Sequence, residues 1–260
     1  MGSTGKKAWT IGPVSLSNKD DGDKIDRGKK ASIDEKQCFD WLETKEPNTV
    51  IYVSFGSYGR LRPPQMEELG TALEGSGNPF IWVVKAEDAL PERFEEEPIT
   101  ERWMVIRGWA PQVAILSRRE IGGFVTHCGW NSTIEGLCAG VAMVTWPLFA
   151  DQFLNERLVF DVLRVGVSVG VERTTGWVGE EAAGGEVVER EPIGMALERL
   201  MDGGDGGGER RERAREFGEL ARKAMEVGGS SYVNLTGVIE DVLKYKSMEN
   251  VEENGHDDML

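Results

Sequence analysis

Six short apolar runs recur between residues 49 and 171: TVIYVSFG (49–56), PFIWVVK (79–85), MVIRGW (104–109), IGGFVTH (121–127), VAMVTWP (141–147) and VGVSVGV (165–171). They are rich in β-branched residues and do not alternate with polar ones. Runs of that kind form strands buried on both faces. Helical stretches fall between them. PPQMEELGTALEGSG (63–77) puts Met66, Leu69 and Leu73 on one face, with Pro64 in its first turn. A short helix is expected over Gln112 to Leu116, a longer one over NSTIEGLCAG (131–140), and one apolar on most sides over DQFLNERLVFDVL (151–163). Strand–helix alternation with fully buried strands predicts an α/β fold, a Rossmann-like parallel sheet with helices on both faces. In such a sheet ligands sit at the carboxyl ends of the strands. Here those ends carry Gly56-Ser57, Trp109, His127 to Ser132, and Asp151-Gln152, the most chemically distinctive residues of the chain.

The flanks read differently. Residues 15–36 are polar and charged, which predicts a linker or long surface loop. Asp21-Gly22-Asp23 within it has no strand context to fix its carboxylates, so a solvated loop accounts for it better than a metal site. Residues 175–190 form a Gly- and Glu-rich loop. A helix is expected over 209–228, with Ala214, Phe217, Leu220, Ala221 and Ala224 on its apolar face. GGSSY (228–232) should stop it and cap a last helix carrying Leu235, Val238, Ile239, Val242 and Leu243. Both are expected to pack on the sheet or on a neighbouring domain. The organisation drawn from these features is a linker and polar loop over 1–40, a ligand-binding domain over 41–246, and an acidic tail over 247–260 expected to be disordered.

Charge and cysteine content exclude several functions. The net charge of −15 argues against a nucleic-acid partner. It leaves room for a small phosphate ligand, because salt screens distant charge over about 10 Å. No apolar run reaches the length of a membrane span. The N-terminal MGSTGKKAWTIGP lacks the apolar segment of a secretory signal, and Gly2 lacks the context for myristoylation. Three cysteines (Cys38, Cys128, Cys138) without zinc spacing read as reduced thiols of a cytoplasmic protein.

GWNSTIEG (129–136) is a strand-to-helix junction of the kind that binds anions. A helix N-terminus offers unpaired N–H groups and about half a positive charge. Asn131 and Ser132 add side-chain donors, Gly129 permits close backbone approach, and His127 can donate to a diphosphate oxygen. Taken singly, Asn131 or Ser132 could be an ordinary N-cap and His127 a partly buried histidine; the set together favours a phosphate site. Glu135 could hold a ribose diol, or close a capping box with Ser132. Trp109 could stack on a base or belong to the core. Asp151-Gln152 could read sugar hydroxyls, or simply open a helix.

Trp109 to Gln152, WAPQVAILSRREIGGFVTHCGWNSTIEGLCAGVAMVTWPLFADQ, is 44 residues long. It resembles, without gaps, the signature box of the plant UDP-glycosyltransferases of secondary metabolism. AWTIGPVSL, YVSFGS (52–57) and GGSSYVNL (228–235) extend the likeness from about residue 8 to about 245. The resemblance implies the C-terminal half of the two-domain GT-B fold and UDP-glucose as donor substrate, with no cofactor and no metal. It implies that Trp109 stacks on uracil, Ala110 meets it through backbone, and Gln112 lies near the ribose. Glu135 would hold the ribose diol. His127, Asn131, Ser132 and Ser57 would contact the diphosphate, and Trp130, Asp151 and Gln152 would face the sugar. Trp130 with Gln152 is associated in the family with glucose.

The chain departs from the family at Ala142, usually proline, and Arg118, often histidine. The larger departure is length. In the family an N-terminal domain binds the acceptor, a small plant metabolite such as a flavonoid or terpenoid, and supplies the histidine base that deprotonates its hydroxyl. The two histidines here are His127 and His256, in the acidic tail, and neither stands in that motif. The expectation is therefore a donor-binding half without a catalytic base of its own. A stand-alone UDP-sugar-binding module and an inactive remnant are the alternatives.

Overall fold

The computed structural model describes residues 8–17, 33–174 and 187–254. Asp21-Gly22-Asp23, His256 and most of the 175–190 loop lie outside the described residues. Two compact units are present, one drawn from Met1–Asn18 with Leu220–Leu260 and the other from Lys19–Glu219.

The larger unit is the expected sheet. Strands β1 (Val50–Ser54), β2 (Phe80–Val84), β3 (Trp103–Arg107), β4 (Ile121–Thr126), β5 (Met143–Thr145) and β6 (Gly166–Ser168) are joined in the order β3-β2-β1-β4-β5-β6. Every pairing is parallel. Each strand lies within one of the six apolar runs or, at β3, overlaps it. Every residue of β1 and β4 is buried, which is why these runs show no alternation. The chain winds outward from β1 through β2 to β3, then returns to β4 on the other side of β1. The order of winding reverses there, and the loops leaving β1 and β4 diverge to leave a crevice.

The covering helices are α1 (Glu35–Glu43), α2 (Pro63–Gly75), α3 (Glu92–Glu96), α4 (Gln112–Leu116), α5 (Trp130–Ala139), α6 (Gln152–Arg157) and α7 (Arg190–Met201). Helix α1 crosses the boundary drawn at residue 40 and begins inside the stretch read as polar loop. Asp34 caps it by accepting from Lys36 N (3.3 Å), and Cys38, Trp41 and Leu42 bury its inner face. Helices α2 and α7 pack together. Their contact is extended by Gln65, whose carboxamide exchanges two 2.8 Å bonds with the backbone of Val188. The single helix expected over 151–163 is α6 followed by a π-helical turn, Leu158–Val162. Leu154, Phe160 and Val162 of this stretch are exposed, so its apolar character is only partly spent on the core.

Helix α8 (Asp205–Met225) starts earlier than expected, and helix α9 (Ser230–Asn254) follows the break at Gly228, whose φ is +83°. Ala214 is buried and Phe217 packs against the core, but Leu220, expected on the same apolar face, is exposed. In the smaller unit Asn234 Nδ2 donates to Thr10 O (2.9 Å), Ser231 Oγ donates to Gly12 O, and Gly237 faces the Trp9 ring. Leu235, Ile239, Val242 and Leu243, expected to be covered, are exposed on α9. The same helix continues to Asn254, into the acidic stretch expected to be disordered. No described helix is long and apolar enough to cross a membrane.

Candidate functional site

The crevice between the exits of β1 and β4 is built around His127. The histidine follows Thr126, the last residue of β4, and is 9% exposed. Two glycines hold its ring. A Cβ on Gly56, just past β1, would lie 2.5 Å from its Cε1, and a Cβ on Gly129 would lie 2.4 Å from its Nε2. Gly56 also has φ +69°, a conformation open to glycine at little cost. The Nε2 edge is thus clasped by the backbone of both loops. Nδ1 is buried and bonds to none of the described residues. Burial lowers the imidazole pKa to about 4, against an opposing pull from the nearby Asp151 carboxylate. At neutral pH the ring is therefore uncharged and offers one N–H.

Cys128 makes the turn into helix α5. Its φ is +62°, unusual for a residue with a side chain, and its N–H is held by Thr126 Oγ1 at 3.2 Å. The N-cap of α5 is Gly129, with no side-chain capping bond. Asn131 and Ser132 therefore sit in the first turn and do not cap the helix. The opening N–H groups of a ten-residue helix consequently have no side chain from the cap position laid over them. Trp130 is the first helical residue and is 51% exposed. Asn131 is exposed beside it.

A second group is organised by Gln112, the first residue of α4. Its Nε2 donates to Ser132 Oγ (3.1 Å) and to Glu135 Oε2 (2.8 Å), and its Oε1 accepts from the buried Tyr52 hydroxyl (3.4 Å). Ser132 and Glu135 are thus joined through Gln112. Trp109 precedes this helix by way of Ala110 and Pro111. It is half-buried and lies neither in the hydrophobic core nor among the residues packed against it. Ala110 is buried and its carbonyl accepts from Gln112 N (2.8 Å). Next to Gly56 and Gly108 a recess opens over the ends of β1 and β2, lined also by Val83 to Lys85 and Asp88.

Ser57 lies exposed in the turn after Gly56. Asp151 occupies the N-cap of α6 without a side-chain capping bond, and its Oδ2 accepts from Asn155 Nδ2 (2.9 Å). Gln152 is buried, and its Oε1 accepts from Leu148 N (2.8 Å) and Phe149 N (3.0 Å). The amide oxygen therefore shapes the loop before α6.

Sequence reasoning passed over Tyr52, Asn155 and the recess at the end of β2. A tyrosine in a buried strand and an asparagine within a helix carry no local signal. Their partners lie 60 and 27 residues away. Among the described residues no cluster of three His, Cys, Asp or Glu side chains could hold a metal ion.

The family model described as UDP-glucoronosyl and UDP-glucosyl transferase matches residues 12–175. The chain is similar to UDP-glycosyltransferase 73C11 of Barbarea vulgaris, with 49% identity over 94% of this chain and 50% of that protein. It is also similar in structure to UGT73P12 of Glycyrrhiza uralensis, solved with glycyrrhetinic acid 3-O-monoglucuronide. That match has a TM-score of 0.85 and 42% identity over 96% of this chain and 51% of that one. A third likeness is to Phytolacca americana UGT2 complexed with UDP-2fluoro-glucose and pterostilbene, with a TM-score of 0.68 and 34% identity over 80% of this chain and 45% of that one. The chain spans about half the length of the relatives it matches. With the parallel sheet, the reversal at β1 and β4 and the matched signature stretch all in one unit, the chain belongs to the UDP-glucoronosyl and UDP-glucosyl transferase family.

Proposed function

We propose that this chain is the donor-binding half of a UDP-glucosyltransferase that glucosylates a hydroxyl of a small plant metabolite. The observation that carries this reading is the pair of assemblies at the crevice: His127 with the start of α5, and Gln112 with Ser132 and Glu135. Each residue takes the role that the family resemblance implies for it. Uracil stacks on Trp109 and meets the backbone of Ala110. The ribose diol bonds to Glu135, whose carboxylate can accept from the diol as well as from Gln112. The diphosphate lies against the α5 N-terminus, with His127, Asn131, Ser132 and Ser57 around it. Trp130, Asp151 and Gln152 border the hexose.

In the reaction, the acceptor oxygen bonds to the anomeric carbon as the bond to the β-phosphate oxygen breaks, and UDP leaves with the electron pair. Charge then builds on the diphosphate. Backbone N–H groups, the helix dipole and the neutral His127 N–H stabilise it without reorganising. The proton of the acceptor hydroxyl goes to a base on the acceptor half, because the histidine of this site is committed to the diphosphate. The likeness to a protein solved with UDP-2fluoro-glucose supports the choice of a UDP-hexose.

Calorimetric titration of the chain with UDP and UDP-glucose tests the reading, beside Trp109→Ala and Glu135→Ala. Saturable binding weakened in both variants is the expected result. A folded wild-type chain that binds neither ligand would overturn it.

A further inference from the structure

Asn155 is one of the few polar side chains buried beneath the site, at 8% exposure. It lies one turn into α6, and its backbone N–H bonds to Asp151 O (3.0 Å) in the ordinary helical way. Its side chain does more. The single nitrogen Nδ2 donates to Asp151 Oδ2 (2.9 Å) and to the carbonyl of Cys128 (2.9 Å), which lies 27 residues earlier in the turn before α5. Both partners are acceptors only, so the amide orientation is forced and both of its protons are spent. One side chain thus ties the carboxylate at the start of α6 to the left-handed turn that follows His127. The Asp151 charge also acts on the His127 imidazole.

We infer that Asn155 is a positioning residue that holds the Asp151 carboxylate toward the hexose, using the Cys128 carbonyl as its fixed anchor. The inference rests on the donor-site reading above, in which Asp151 borders the sugar. Two features make asparagine the suited residue. Its amide supplies two protons from one atom, which the turn and the carboxylate require together. Aspartate in its place would offer no proton and would set a second carboxylate against Asp151. An exposed Asp151 side chain without this bond would sample its rotamers freely, and its contact with a sugar hydroxyl would then carry the entropy of ordering it.

The test compares UDP with UDP-glucose, because only the second carries the hexose. Affinities of the full chain for both are measured by calorimetry in wild type, Asn155→Ala, Asp151→Ala and the double variant. The expected result is a shift of the UDP-glucose to UDP affinity ratio against the sugar nucleotide in Asn155→Ala, on the order of tenfold, as for one charge-assisted hydrogen bond. The same shift should occur in Asp151→Ala and grow no further in the double variant. Equal losses of both ligands would show a merely structural asparagine and overturn the inference, as would a ratio shift that persists undiminished when Asp151 is already alanine. If Asn155→Ala does not fold, nitrogen-15 NMR of the Asn155 carboxamide replaces it. Its resonances should move in Asp151→Ala and on adding UDP-glucose, and less on adding UDP; resonances indifferent to both changes overturn the inference. Absence of UDP-glucose binding by the wild-type chain would instead sink the donor-site reading itself.

Discussion

Gln112 Nε2 stands 2.8 Å from Glu135 Oε2, and the same nitrogen reaches Ser132 Oγ at 3.1 Å. One carboxamide on α4 therefore fixes two side chains on α5, and is itself steadied from below by Tyr52. If Glu135 receives the ribose, Gln112 determines where its carboxylate waits. Gln112→Ala should weaken UDP binding on the order of tenfold, as expected for loss of a hydrogen bond to a charged group. Gln112→Glu should be worse, because it sets like charges together. In a Glu135→Ala background the Gln112→Ala change should cost little more, and calorimetric double-mutant cycles check the coupling.

The two glycines against His127 are a packing requirement before they are a ligand feature. Gly129→Ala would drive a methyl to within 2.4 Å of Nε2 and should destabilise the fold by about 1–3 kcal/mol, the usual range for overpacking. Gly56→Ala meets the same ring at 2.5 Å and adds backbone strain at φ +69°, roughly 1–2 kcal/mol more. Urea unfolding should rank Gly56→Ala as the less stable of the two. The same displacement of the imidazole should weaken UDP binding in both variants.

How much of this was legible in the sequence differs residue by residue. The strands were, because fully buried parallel strands leave uninterrupted β-branched runs. The placement of Trp109 just past β3 and of His127 just past β4 was, because a parallel sheet delivers its loop residues at the carboxyl ends of its strands. Helix α1 was missed although Asp34 followed by Gln37, three residues later, is a readable capping pattern. Its surroundings of charge masked the apolar set Cys38, Trp41 and Leu42. The start of α5 was placed at Asn131, since asparagine is a favoured cap; Gly129 takes the position because any side chain there would strike His127. Leu220 and the apolar residues of α9 show the opposite failure. Periodicity marks a face that could be buried and does not say what covers it. Asn155 had no local signature, because its meaning lies in Cys128.

His127 should make stability depend on pH in a defined window. Its pKa is about 4 in the fold against 6.5 for the free side chain, because burial disfavours the charged form. Between those values the unfolded chain binds the extra proton, so stability rises with pH there. The contribution is complete above pH 6.5 and is lost as pH falls through 4, amounting to roughly 3 kcal/mol. Carboxylates titrate in the same range, so the difference between wild type and His127→Gln isolates the effect. Chemical unfolding at pH 7 and pH 4.5 should show a smaller loss in the variant; an equal loss in both proteins would contradict a neutral, buried imidazole.

The cysteines report on the same turn. Cys38, Cys128 and Cys138 are all buried, and none is in a disulfide. Burial pushes the Cys38 thiol up to about 12, and burial with the neighbouring Glu156 charge raises Cys128 as well. Thiols so protonated and enclosed should react with a disulfide reagent only when the structure opens. Native chain should therefore show slow modification, and urea-unfolded chain should release all three thiols at once. Cys128 lies between His127 and the start of α5, so opening the turn that exposes it also dismantles the proposed diphosphate site. Saturating UDP should then slow modification of Cys128 by about 1 + [UDP]/Kd, where opening and closing are fast. Cys38, buried in α1 and not part of that turn, should be slowed less. Mass mapping of the modified peptides, with and without UDP, separates the thiols. A Cys128 rate indifferent to UDP would mean that the nucleotide does not engage the turn.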